Sequence, residues 1–215
     1  RLVVERVRGR ELAARRPQPE PGIASLYQSV AFRQDTSYLA VGERTNANGS
    51  RVFRDAMLEG RFDDCVEVAR EASRDGSHLI DLCVDYVGRD GVTDMREIAS
   101  RFATASTLPI MLDSTEPPVV EAGLECLGGR CVINSVNFED GEGPASRFAR
   151  IMPVVREHGT AVVALTIDET GQARTPEHKV AIAERLIETL TGTWGMRESD
   201  IMVDCLTFTL GTGQE

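Results

Sequence analysis

PIMLDST (109–115) is a short apolar run that ends in Asp113, Ser114 and Thr115. A run this short and this apolar reads as a strand buried on both faces. Before it, Met95, Ile98, Ala99, Phe102 and Ala103 share one helical face over 93–106. After it, Pro117 and Pro118 suit the first turn of a second helix, which Gly128 and Gly129 close. Helix, buried strand, helix is the repeating unit of a parallel sheet covered by helices.

The same unit recurs on both sides. The runs YLAVGERTN (38–46), HLIDLCVD (78–85), CVINSVN (131–137), AVVALTIDETGQA (161–173) and IMVDCLTFTLGTGQ (201–214) each begin apolar and turn polar. Helical spacing fills the gaps at 51–75 in two parts, at 144–158 with Gly159 as its cap, and at 176–191. Six strand starts at intervals of about 25–40 residues predict an α/β fold of the TIM-barrel type. A full barrel takes about 250 residues, so the expectation is six of eight strands, cut from a longer polypeptide. In such folds ligands meet the carboxyl ends of the strands. Those ends carry Glu43, Asn46, Asp81, Asp85, Asp113, Asn134, Asn137, Asp168 and Asp204.

Composition narrows the class. Hydrophobic residues make up 41% and charged residues 27%, as in globular enzymes. A net charge of −10 argues against a nucleic-acid partner and fits a cytoplasmic enzyme. No apolar run is long enough to span a membrane, and the arginine-rich start lacks the apolar segment of a secretory signal. Residues 1–16 hold six Arg against two Glu and read as a helix tail, followed by the proline-rich breaker RRPQPEPG (15–22). Ile23, Leu26, Tyr27, Val30 and Phe32 could then pack on a neighbouring surface. The five cysteines are scattered and read as buried thiols, with no disulfide framework and no zinc spacing. His78, His158 and His178 are equally dispersed, so no metal is expected. Gly-Thr-Gly at 211–213 is too short a signal to mark a phosphate site.

Asp113, Asn134 and Asp204 each follow an apolar tripeptide, so neighbouring strands would splay them over one mouth. A carboxylate there can accept two bonds from the amino group and ring N–H of a 2-amino-4-oxo-pyrimidine. An amide both donates and accepts, and suits the mixed edge of such a ring. Each acid alone could equally be a helix cap or a turn residue. Glu43 could pair with Arg44, Asp81 and Asp85 with Arg89, while Asn46 and Asp168 could serve loops. Spacing alone therefore stops at a barrel enzyme with a polar ligand.

Longer strings are more specific. GERTNANGS, DLCVDYVGRDG, LPIMLDST, CVINSVN, ALTIDETGQART and DCLTFTLGTGQE together resemble the pterin-binding, methyltetrahydrofolate region of cobalamin-dependent methionine synthases, actinobacterial forms above all. The resemblance covers 37–215, as a partial pterin-binding barrel like that of dihydropteroate synthase, and makes 1–36 the linker from a preceding module. It implies a methyltransferase whose substrate is 5-methyltetrahydrofolate, with the methyl group going to cobalt(I) cobalamin and then to homocysteine. Cobalamin would sit on another module of the same parent, and zinc in a homocysteine module absent here. The resemblance assigns the pterin to Asp113, Asn134 and Asp204, then to Glu43, and more remotely to Asn46, Asp81 and Asp168. A further Asn of the family's seventh strand has no counterpart in this sequence. The isolated 215 residues are therefore expected to bind folate poorly and not to turn over. Alternatives are a dihydropteroate synthase, a methyltransferase serving a corrinoid protein, and a non-catalytic remnant.

Overall fold

A computed structural model describes residues 2–11 and 20–207. Most of the proline-rich stretch at 15–22 and the Gly-Thr-Gly at 211–213 lie outside the described residues. A short helix, α1 (Leu2–Val7), comes first, and its Leu2, Val3, Val4 and Val7 are exposed. An antiparallel hairpin follows, β1 (Gly22–Ala24) with β2 (Ser29–Ala31).

The body is built from β3 (Val41–Gly42), α2 (Arg51–Leu58), α3 (Phe62–Arg74), β4 (Leu79–Leu82), α4 (Gly91–Ala105), β5 (Ile110–Asp113), α5 (Pro117–Cys126), β6 (Val132–Val136), α6 (Arg147–His158) and β7 (Ala161–Leu165). A small hairpin of β8 (Ile167–Asp168) and β9 (Gly171–Gln172) then leads to α7 (Pro176–Glu188) and β10 (Ile201–Asp204). Six of these strands form one parallel sheet in the order β3-β4-β5-β6-β7-β10. Spatial order follows chain order without a reversal, so every crossover winds the same way and the sheet curls into the arc of a TIM-type barrel.

Local chemistry fixes the helix ends. Ser50, Asp90, Ser146 and Thr175 each accept a backbone N–H of the first turn as N-caps. Proline opens α5 and α7, and Gly159 ends α6 in the left-handed region at φ 61°. The strand that opens the run at 161–173 stops at Leu165, because Ile167 and Asp168 turn away into the β8–β9 hairpin.

Two apolar layers result. The larger lies between the sheet and its helices and holds Ile80, Leu82, Phe102, Leu112, Ile133 and Val162. The smaller lines the inside of the arc with Leu79, Met111, Val132 and Ala161, and Ile23 of β1 plugs it from below. Gly128 and Gly129 therefore do more than close α5: a Cβ on Gly129 would stand 2.1 Å from the Ala24 carbonyl oxygen. Arg130 secures the hairpin by donating to the carbonyls of Gly22 and Gly159 (2.9 Å each) and to Asp200 (3.0 Å), which Arg197 also holds.

Candidate functional site

Strand side chains alternate between faces, so residues two apart look the same way. The inner apolar layer uses Val41, Leu79, Met111, Val132 and Met202. Two positions further on, each strand brings a polar residue to that same face at its carboxyl end: Glu43, Asp81, Asp113, Asn134 and Asp204. Five of the seven predicted residues thus share one surface of the arc, above an apolar floor. Asp113 and Asn134 are direct register partners on neighbouring strands.

Asn46 arrives from the loop after β3 and joins the acids. Its Nδ2 donates to Asp81 Oδ2 and to Asp113 Oδ2, both at 2.9 Å. Its Oδ1 accepts the backbone N–H of Asn48 and Gly49, so the turn expected of Asn46 and the site it serves are the same structure. Asp81 is only 4% exposed, and its Oδ1 has no hydrogen-bond partner among the described residues. Burial pushes its carboxyl up to about 6; the charges of Asp113 and Glu43 add to this, and the amides of Asn46 and Asn134 oppose it. Burial also raises Asp113, helped by the charge of Asp85, while Asn46, Arg147 and Cys83 pull the other way.

The remaining candidates stand apart from this cluster. Glu43 is exposed on the edge strand. Asp204 is exposed at the other edge, with Oδ1 accepting the Leu206 N–H at 2.7 Å. Asp168 is engaged elsewhere: it accepts the Thr170 hydroxyl and N–H and lies 2.9 Å from His178 Nε2. The Thr170 hydroxyl first, then His178, hold its carboxyl down at about 2.

Three simple pairings suggested by the sequence do not form. Arg44 turns to Asp75 and Glu71 of α3 and its C-cap, not to Glu43. Arg89 forks onto the buried Asp94, leaving Asp81 and Asp85 without it. Asp85 instead accepts Ser114 Oγ (2.8 Å) and the Thr115 N–H (3.0 Å), which fixes the loop after β5. Beside this loop a cleft of about 860 Å³ opens between Asn48, Asp85, Tyr86, Arg89, Thr115 and Glu116.

Sequence reasoning missed Arg147, whose guanidinium crosses from α6 to the ends of β5 and β6. A signal existed. Arg147 occupies the first turn of its helix, where the helix dipole disfavours a cation, so another interaction must hold it there.

Chemically, the cluster is a half-buried set of acceptors with one amide spacer and an adjacent second amide. It fits a flat heterocycle with several N–H donors. Among the described residues no group of three or more His, Cys, Asp or Glu is placed to hold a metal ion. Nor is any helix among them long and apolar enough to cross a membrane.

Methionine synthase of Mycobacterium tuberculosis (strain ATCC 25618 / H37Rv) is 65% identical over 196 residues, which is 91% of this chain and 16% of that protein. Methionine synthase of Mycobacterium leprae (strain TN) is 63% identical over 196 residues, with the same coverage of 91% and 16%. The chain thus spans 16% of the length of these relatives. Among solved structures, Xanthomonas albilineans dihydropteroate synthase with 4-aminobenzoic acid superposes with a TM-score of 0.60 at 13% identity, over 91% of this chain and 68% of that one. The same enzyme with indole-2-carboxylic acid and 6-chloroguanine gives 0.59 at 13% identity, over 86% and 65%. Identity that low speaks for the barrel fold alone. The family described as pterin binding enzyme matches residues 42–215, from the end of β3 through every strand of the arc, and the chain belongs to that family.

Proposed function

We propose that this chain is the folate-holding part of a methionine synthase, a methyltransferase that takes the methyl group of 5-methyltetrahydrofolate. The observation that carries this reading is the inner-face row Asp81, Asp113 and Asn134 with Asn46 between the acids, in a chain 65% identical to a methionine synthase. That identity also favours it over a dihydropteroate synthase, which shares only the fold. Residues 37–215 form the barrel part and 1–36 the link from a preceding module; the cytoplasm is its place of work.

In this reading Asp113 accepts two hydrogen bonds from the 2-amino group and ring N–H of the pterin. Asn134 meets the mixed edge of the ring, and Asp204 completes the grip from β10. Glu43 lines the same mouth, Asn46 spaces the acids, and Asp168 shapes the rim through its hairpin. Methyl transfer breaks the bond from carbon to a tertiary amine nitrogen, and the bonding pair goes to that nitrogen. Departure is slow unless the nitrogen is protonated or receives a hydrogen bond as the bond breaks. Burial pushes the Asp81 carboxyl up to about 6, so it is the acid of this network that holds a proton to the highest pH of those shifted. Cobalamin, carried by another module of the parent, would supply the cobalt(I) that accepts the methyl group.

The test is calorimetric titration of 5-methyltetrahydrofolate into the full-length polypeptide and its Asp113→Ala and Asp204→Ala variants. The expected result is binding by the parent and at least a tenfold loss in each variant with folding intact, since a charged hydrogen bond contributes about 1.5–3 kcal/mol. Absence of binding by a well-folded parent overturns the reading.

A further inference from the structure

The strand ends that carry Asp113 and Asn134 are joined by a single side chain. Arg147 Nη2 donates to the Ser114 carbonyl at 2.9 Å and to the Ser135 carbonyl at 3.0 Å, and its Nε donates to the Thr115 carbonyl at 3.0 Å. Ser114 directly follows Asp113, and Ser135 directly follows Asn134. A guanidinium with its planar fork ordinarily takes a carboxylate. Here it takes three carbonyls, and none of the ion pairs among the described residues includes it. Its positive charge is therefore left to act on the acids around it, Asp113 foremost, then Asp140, Glu139 and Asp85.

That field matters because Asp81 and Asp113 share one Asn46 nitrogen. Two carboxylates held this way resist being ionised together. Glu43 from the end of β3 and Asp85 from the loop after β4 add negative charge, and Glu139 and Asp140 add more from the loop before α6. Arg147 opposes the rise of Asp113, and the larger influences on Asp81 are burial, the amides of Asn46 and Asn134 and the acids Asp113 and Glu43.

We propose that Arg147 is a positioning residue of the pterin site, which ties the ends of β5 and β6 at ligand-holding spacing and keeps Asp113 the charged member of the Asp81–Asp113 pair. The proposal rests on the pterin reading of the mouth. A charged Asp113 accepts both ring donors; a protonated one presents a donor of its own against them.

The experiment measures the dissociation constant of 5-methyltetrahydrofolate from about pH 4 to 8, on the full-length polypeptide and its Arg147→Met and Arg147→Lys variants. Binding needs ionised Asp113, so it is present above that group's pKa and fades below it. Removing the charge raises that pKa, and Arg147→Met is expected to move the midpoint up by about half a unit or more. Arg147→Lys keeps the charge but loses the planar fork, so its midpoint stays with the parent while binding weakens at every pH. The upward shift persists in an Asp81→Asn background, where Asp113 alone of the pair titrates. Should Met unfold the protein, Arg147→Gln carries the same expectation. Equal weakening at every pH in the Met and Lys variants overturns the proposal, since that is what a scaffold residue would give; so does unchanged binding. A parent that folds but does not bind overturns the pterin reading underneath, which is a separate result.

Discussion

Asn46 satisfies two acids with one nitrogen, and each of its own polar atoms is used. Asn46→Ala should leave Asp81 and Asp113 facing each other without a donor. Loss of stability of about 1–3 kcal/mol is expected near neutral pH, read from denaturant unfolding of the full-length polypeptide. Asp81 has a different signature. Its folded carboxyl titrates near 6, above the ordinary carboxylate value of 3.8, so the folded state holds the proton more tightly than the unfolded chain does. The advantage of the protonated form is complete below the unfolded pKa and is lost as pH rises through about 6. Asp81→Asn removes this titration. Relative to the parent, the variant should gain about 2 kcal/mol between pH 4.5 and 7.5, while pterin binding falls. A stability difference that does not change with pH would refute the assignment of that proton. These roles were only partly legible in the sequence. Asn46 reads as a turn residue and is one, and nothing in the spacing reveals the two acids it reaches across the arc. Arg147 is silent for the same reason, since its partners are backbone carbonyls, which every residue has.

Elements were more readable, because each is set by local chemistry. The Pro117-Pro118 start and Gly159 mark helix ends where the structure has them. The apolar runs were visible as strands, but their faces were not, and it is the alternation from Met111 to Asp113 and from Val132 to Asn134 that places the site. The β1–β2 hairpin was the least readable element. Its alternation is brief, and its reason to fold lies far away, at Leu79, Met111, Val132 and Ala161. Arg130 is its anchor, and the Asp200 side chain it holds is 7% exposed. Arg130→Met should leave the Gly22 and Gly159 carbonyls without their donor and leave Asp200 to Arg197 alone, at a cost of about 1–3 kcal/mol. Hydrogen exchange should localise the damage: amides of 22–31 are expected to lose protection before those of β5 and β6. Uniform loss across the sheet would show that the hairpin is no separate unit.

At the scale of the whole molecule, the arc has two strand edges. β3 pairs with β4 alone and β10 with β7 alone among the described residues. Unpaired edges recruit further strands. Residues 1–215 produced alone should therefore associate, most of all near the pI of 4.9, where the charge of −10 no longer keeps copies apart. Sedimentation as a stable monomer at that pH would contradict this. Barrel class was legible at this scale because chain order and spatial order coincide, whereas the openness of the mouth depends on side chains from several strands at once. A ribosome makes the β1–β2 hairpin before any strand of the arc, yet the hairpin's seat is assembled from residues made much later, Arg130 and then Asp200. During vectorial synthesis Ile23 waits in solvent, a latch with no catch, until the sixth strand of the arc is about to emerge. Docking of the hairpin then marks the point at which five strands of the nascent arc have been laid down.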